Sequence, residues 1–222
     1  MKGNRGISIG MSKKAFGSII LMLVIGLGAC SNGDNIDDEI HGHLEETVQK
    51  ENELAETQEE IADREQQDQD IYEEIVELEK EDDEELNSLA DEAISLLDER
   101  EEYMEEERKT MQLSEEEFQK IEPLIEKEED TDKKEQLNSM YEAMVDRYDA
   151  YENVYDEYSE SIEFSETLYN ELMKDDADEE SVYDSIDEVN QSYEKIAEVY
   201  ETFNKKTDEF NDLKQEYYDL VT

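Results

Sequence analysis

The chain has 222 residues, of which 69 are Asp or Glu and 20 are Lys or Arg, for a formal charge of −49 at pH 7. Such a charge excludes nucleic acid and bare anionic lipid as partners, because every phosphate would be repelled. From His43 to Thr222 there is no glycine and Pro123 is the only proline, which excludes hairpins, phosphate-cradling loops and nucleophile elbows and leaves long helices with short links.

The first element is a leader. A basic start (Lys2, Arg5, Lys13, Lys14) precedes an uncharged, Ile/Leu/Val-rich segment from Ala15 to Ala29. These are the marks of a secretory signal peptide, and the segment is shorter than the roughly 20 residues a membrane span needs. It ends in Leu27-Gly28-Ala29-Cys30, which holds the only cysteine. That ending resembles a bacterial lipobox. In such signals the thiol takes a diacylglyceryl group and cleavage leaves the cysteine as the new N-terminus. The alternative is a plain signal peptide with an incidental cysteine. The expected division is a signal peptide over 1–29, a lipidated tether over 30–35 and a helical bundle over 36–222. Translation starts at Met1 or at Met11, which gives a leader of ordinary length. No acidic residue precedes Cys30, so the mature chain is more negative still.

Asp34 or Asn35 can cap the first helix, expected from about Ile36 to Lys80. Its apolar positions are sparse: Ile40, Leu44, Val48, Leu54, Ile61, Tyr72, Ile75 and Leu78. Glu51, Gln58, Glu65 and Asp68 fall where core residues belong, so its first half is expected either to fray or to be held only by neighbours. The charged run Glu79–Glu85 has nothing to bury, and a chain reversal is expected there, with a continuous helix as the alternative.

Helix two keeps a 4-3 spacing from Leu86 through Leu97, Met104, Met111 and Phe118 to Ile125. Ser114-x-x-Glu117 matches a capping box. The unbroken register favours one continuous helix bent near Pro123, which lacks an amide hydrogen. Arg100 and Glu107 lie on the apolar stripe and are expected to snorkel or pair at its edge.

Helix three is expected to start at an N-cap, Thr131, and to run Leu137, Tyr141, Met144, Tyr148, Tyr151, Tyr155, Tyr158, Ile162, Ser165, Tyr169, Leu172. Helix four follows the acidic link 174–180, with a seam from Val182 through Tyr193, Phe203 and Phe210 to Val221. Seven-residue repeats of this length imply left-handed, shallow-angle packing. Each segment would be roughly 65 Å long at 1.5 Å per residue. The fold class is all-α, an elongated up-and-down four-helix bundle with coiled-coil-like packing.

Most of the thirteen tyrosines lie beyond residue 140. On the seam they read as core, each hydroxyl reaching the wet edge of a narrow bundle. Tyr183 and Tyr218 lie beside the seam and are the candidate surface contacts. His41 and His43, two apart, do not face one way on a helix and make poor joint ligands. No EF-hand glycine accompanies the acidic runs, and Asp175, Asp176 and Asp178 read as a solvated loop. No metal site, cofactor or catalytic constellation is expected.

Arg147-Tyr148-x-x-Tyr151, Leu168-Tyr169-x-x-Leu172 and Asn190-x-x-Tyr193, with the lipobox, tether and long helices, resemble the YkyA-like cell-wall-binding lipoproteins of Bacillus relatives. The resemblance covers the whole chain and implies a four-helix bundle at the cell surface. The expected function is a non-enzymatic protein anchored to the membrane through lipid on Cys30, on the extracytoplasmic face, binding cell wall or another envelope protein. The alternative is an acidic cation-binding or buffering surface protein.

Overall fold

A computed structural model describes residues 36–78, 82–174 and 178–221. The expected signal peptide, Cys30 and its tether, the caps Asp34 and Asn35, and Asp175 and Asp176 lie outside the described residues. Among the described residues, six α-helices and one 3₁₀ turn make up four rods. The first rod is α1 (Ile36–Asn52) and α2 (Leu54–Glu77); the second is α3 (Asp83–Phe118), a 3₁₀ turn (Gln119–Ile121) and α4 (Glu122–Lys127). The third is α5 (Thr131–Leu172) and the fourth α6 (Glu179–Val221).

Cross-rod partners give the up-down-up-down order. Asp37 of α1 bonds Tyr217 of α6, Arg108 of α3 bonds Glu152 of α5, and Gln136 and Asp146 of α5 bond Glu216 and Lys206 of α6. The chain therefore reverses between α2 and α3, where the charged run placed it. At 42 residues, α5 is about 63 Å long.

The expected first helix is broken at Glu53, whose amide bonds the carbonyl of Lys50 in a tightened turn. Its sparse first half is held by neighbours: Ile40, Leu44 and Val48 are buried with Phe118, Ile121, Phe210 and Tyr217. The second rod is not a smoothly bent helix. The α-helix stops at Phe118, a 3₁₀ turn follows, and Pro123 sits in the first turn of α4. Pro123 has no amide hydrogen for the carbonyl of Gln119, so the ladder tightens there and restarts where proline is tolerated. Ser114 caps nothing; it is buried in mid-helix, with its hydroxyl against Tyr148 and Glu51. The cap of α5 is Asp130, not Thr131: its Oδ1 accepts from the amides of Asp132 and Lys133 at 3.0 and 3.1 Å. An aspartate caps as well as a threonine, and here it lies one residue earlier.

The apolar interior falls into two main clusters. One gathers Ile40, Phe118, Leu137, Met144 and Phe210, with the Phe118 ring stacked on Tyr141 and edge-on to Phe210. The other gathers Ile61, Ala90, Leu97, Met104, Ile162 and Ile196. Polar layers cross the core within and between them.

Candidate functional site

Three of those layers are built on the helix-one positions where apolar residues are missing. In the first, Arg147 donates to both carboxylate oxygens of Glu51 at 2.8 and 2.7 Å, and its Nε donates to Thr207 at 2.8 Å. A guanidinium matches a carboxylate in this forked way better than an ammonium can. Lys214 is buried nearby, and desolvation pulls its ammonium down to about 8 against the opposing field of Glu51.

The second layer holds Glu107, 4% exposed. Burial pushes its carboxyl up to about 7, with Tyr151 and Gln58 beside it pulling the other way.

The third layer centres on Arg100, fully buried. Its Nε and Nη2 donate to the Tyr158 hydroxyl at 3.1 and 2.9 Å, and its Nη1 to Asp68 at 3.2 Å. Tyr158 in turn donates to Glu65 at 2.6 Å, and Tyr169 to Asp68 at 2.6 Å. Desolvation raises both carboxyls, and Arg100 opposes it.

These layers correct two expectations. Arg100 and Glu107 do not reach the bundle edge, because partners from α2 and α5 meet them inside. The hydroxyls of Tyr158 and Tyr169 end on carboxylates, half-buried Glu65 and buried Asp68, and not in water. Both changes follow from the polar positions of helix one, Gln58 beside Glu107 and Glu65 and Asp68 beside Arg100, which supply hydrogen-bonding groups where the seam lacks carbon.

Tyr169, Asn190 and Tyr193, taken from two of the sequence echoes, come together around a recess with Tyr72 and Asp68. Its volume is ≈ 30 Å³, room for a water and far below the about 300 Å³ of a small-molecule site. Tyr183 is 49% exposed on α6. Tyr218 is not exposed in that way: it is half-buried, its hydroxyl lies 3.1 Å from His41 Nδ1, and the two rings meet edge-on.

The two histidines diverge as their spacing requires. His41 turns to Tyr218 and Glu45. His43 turns to α3, where its Nδ1 lies 2.8 Å from Oε1 of Glu117, and Glu46 joins them. The side chain of Glu117 is 6% exposed and also bonds Lys120 through Oε2. Burial pushes this carboxyl up, but Lys120 and His43 outweigh it and hold the group at about 2. The sequence reading missed this cluster. Its one local signal is His43-x-x-Glu46, a spacing that puts both side chains on one helix face; Glu117 comes from another rod.

Comparison with protein families matches this chain over residues 35–220 to the YkyA family, described as "Putative cell-wall binding lipoprotein". No curated protein matches. Among solved structures, the chain is similar to a conserved protein of unknown function from Staphylococcus aureus, with a TM-score of 0.72 at 18% identity. The alignment covers 86% of this chain and 98% of that one. At that identity the likeness is one of fold.

Proposed function

The chain belongs to the YkyA family, and from that premise we propose that it is a non-enzymatic lipoprotein, held on the extracytoplasmic face of the membrane by lipid on Cys30, whose helical rod contacts wall material or another envelope protein. The observation that carries this reading is the extent of the family match. It begins five residues beyond Cys30 and takes in the described bundle up to residue 220, one short of its end at Val221.

The bundle suits a spacer. Its buried polar residues lie in internal layers, and the recess at Tyr169 and Tyr193 admits water, not a substrate. Up-down-up-down order puts Ile36, the α4–α5 link and Val221 at one end, the end that follows the tether. The other end stands about 63 Å away by helix rise. Two acyl chains hold a protein firmly where one is marginal. The negative field of the rod opposes wall phosphates, so contact with wall runs through divalent cations, a basic protein partner, or neutral glycan against exposed side chains such as Tyr183.

Replacing Cys30 by Ser tests the anchor. The variant is expected to leave the membrane fraction or to accumulate with its leader attached; unchanged processing and membrane partition would overturn the lipid reading. Sedimentation with purified, protein-free wall tests the contact. Binding is expected to be weak at low salt and to disappear with chelator. Tight, chelator-resistant binding that falls in Tyr183→Ala would replace cation bridging with glycan stacking.

A further inference from the structure

We propose that His43, Glu46 and Glu117 form a binding site for one divalent transition-metal ion of zinc-like chemistry, at the end of the bundle where α1 packs on the C-terminal part of α3. His43 and Glu46 stand three residues apart on one face of α1, and Glu117 meets them from the facing helix. One donor atom from each residue lies within 4.8 Å of the others, and His43 Nδ1 and Glu117 Oε1 are already 2.8 Å apart. Donors on a tetrahedral zinc, each at about 2.0–2.1 Å, sit about 3.3 Å from one another. Closing the set therefore needs movement mainly of Glu46, the exposed member.

The surroundings are arranged as metal sites require. Lys120 takes Glu117 Oε2 and leaves Oε1 turned to the cluster, so the ammonium orients the ligating carboxylate from behind. The Thr47 hydroxyl donates to the carbonyl of His43 at 2.8 Å and ties down the turn that carries the imidazole. Two carboxylates neutralise a dication, and Glu117 is buried enough to keep water from competing fully for it. One imidazole with two carboxylates suits zinc, cobalt, nickel or manganese, and it disfavours calcium and magnesium, which prefer all-oxygen sets. Three protein ligands leave positions open to water or to a donor from a partner. His41 is not part of the set, since it turns away to Tyr218 and Glu45.

The chain's diffuse charge also attracts cations, so the test must separate a site from an atmosphere. The full chain carrying Cys30→Ser, which removes the only thiol from the count, is titrated with zinc in detergent at physiological salt and excess magnesium. One saturable equivalent is expected. Cobalt should give a visible absorption spectrum of a nitrogen- and oxygen-coordinated ion. Affinity should fall by about tenfold or more, the loss that even outer-shell partners can carry, in Glu46→Gln, His43→Gln and Glu117→Gln, and stay unchanged in His41→Gln. Glu46 is exposed, so its variant keeps the fold and decides the matter if Glu117→Gln does not. Absence of a saturable equivalent, or equal affinity in Glu46→Gln and His43→Gln, overturns the proposal. Neither result bears on the lipid anchor.

Discussion

Arg147 and Glu51 face each other across the bundle in a two-pronged ion pair, with side chains only 2% and 8% exposed. They come from the third and first rods, which run parallel on the diagonal, and with Lys133–Asp37 they tie α1 to α5. The seam position left without carbon on the first helix is filled by charge, and the opposing rod answers it with an arginine.

Removing one partner of this pair leaves the other buried and uncompensated. Arg147→Met should cost about 3–5 kcal/mol, and the pair replaced together, Arg147→Met with Glu51→Leu, should be near neutral or stabilising. Urea unfolding of the single and double variants closes the cycle. A double variant as unstable as the sum of the singles would show that the pair does not act as a unit.

Arg100 tests whether charge or geometry holds the third layer. Three of its nitrogens reach Tyr158 and Asp68, and a lysine ammonium cannot span them. Arg100→Lys keeps the charge and should still cost about 2 kcal/mol, the loss of one charged hydrogen bond. Thermal unfolding reads this directly, and a variant within experimental error of the parent would mean the fork is dispensable.

Glu107 makes stability fall as pH rises. Its carboxyl moves from the ordinary 4.5 to about 7 on folding, so the folded chain binds the proton more tightly than the unfolded one. The resulting stability is complete below the unfolded value and is lost as pH rises through about 7, a change of about 3 kcal/mol. Glu107→Gln should flatten the profile over that window and unfold at higher denaturant than the parent above neutral pH. Parallel profiles for the two proteins would remove Glu107 as the cause.

Salt should stabilise the bundle. With 69 acidic residues against 20 basic ones, repulsion among the outer faces outweighs the surface ion pairs, such as Arg108–Glu152 and Lys206–Asp146, that salt weakens. The screening length shortens from about 30 Å at 0.01 M to about 8 Å at physiological strength. The urea midpoint should rise steadily over that range, whereas a fall would show that the ion pairs dominate.

Much of the architecture was legible because helix formation and reversal are local. A seven-residue apolar repeat and the lack of glycine pointed to four long helical rods, the charged run before Leu86 suggested the first reversal without forcing it, and Pro123 marked the defect in the second rod. The same reading found Glu51, Glu65 and Asp68 out of place on the seam. It could not say what met them, because the partner of a buried carboxylate lies on another rod, as Arg147 does for Glu51 and Tyr169 for Asp68. Tyr218 shows the same limit: its place beside the seam suggested exposure, but His41 at the opposite end of the chain half-covers it. Glu46 was visible as a neighbour of His43 on one helix face. Only the packing of α1 on α3 brought Glu117 to them, since a helix repeat determines which face a residue takes, whereas the facing residue depends on how far one rod slides along the next.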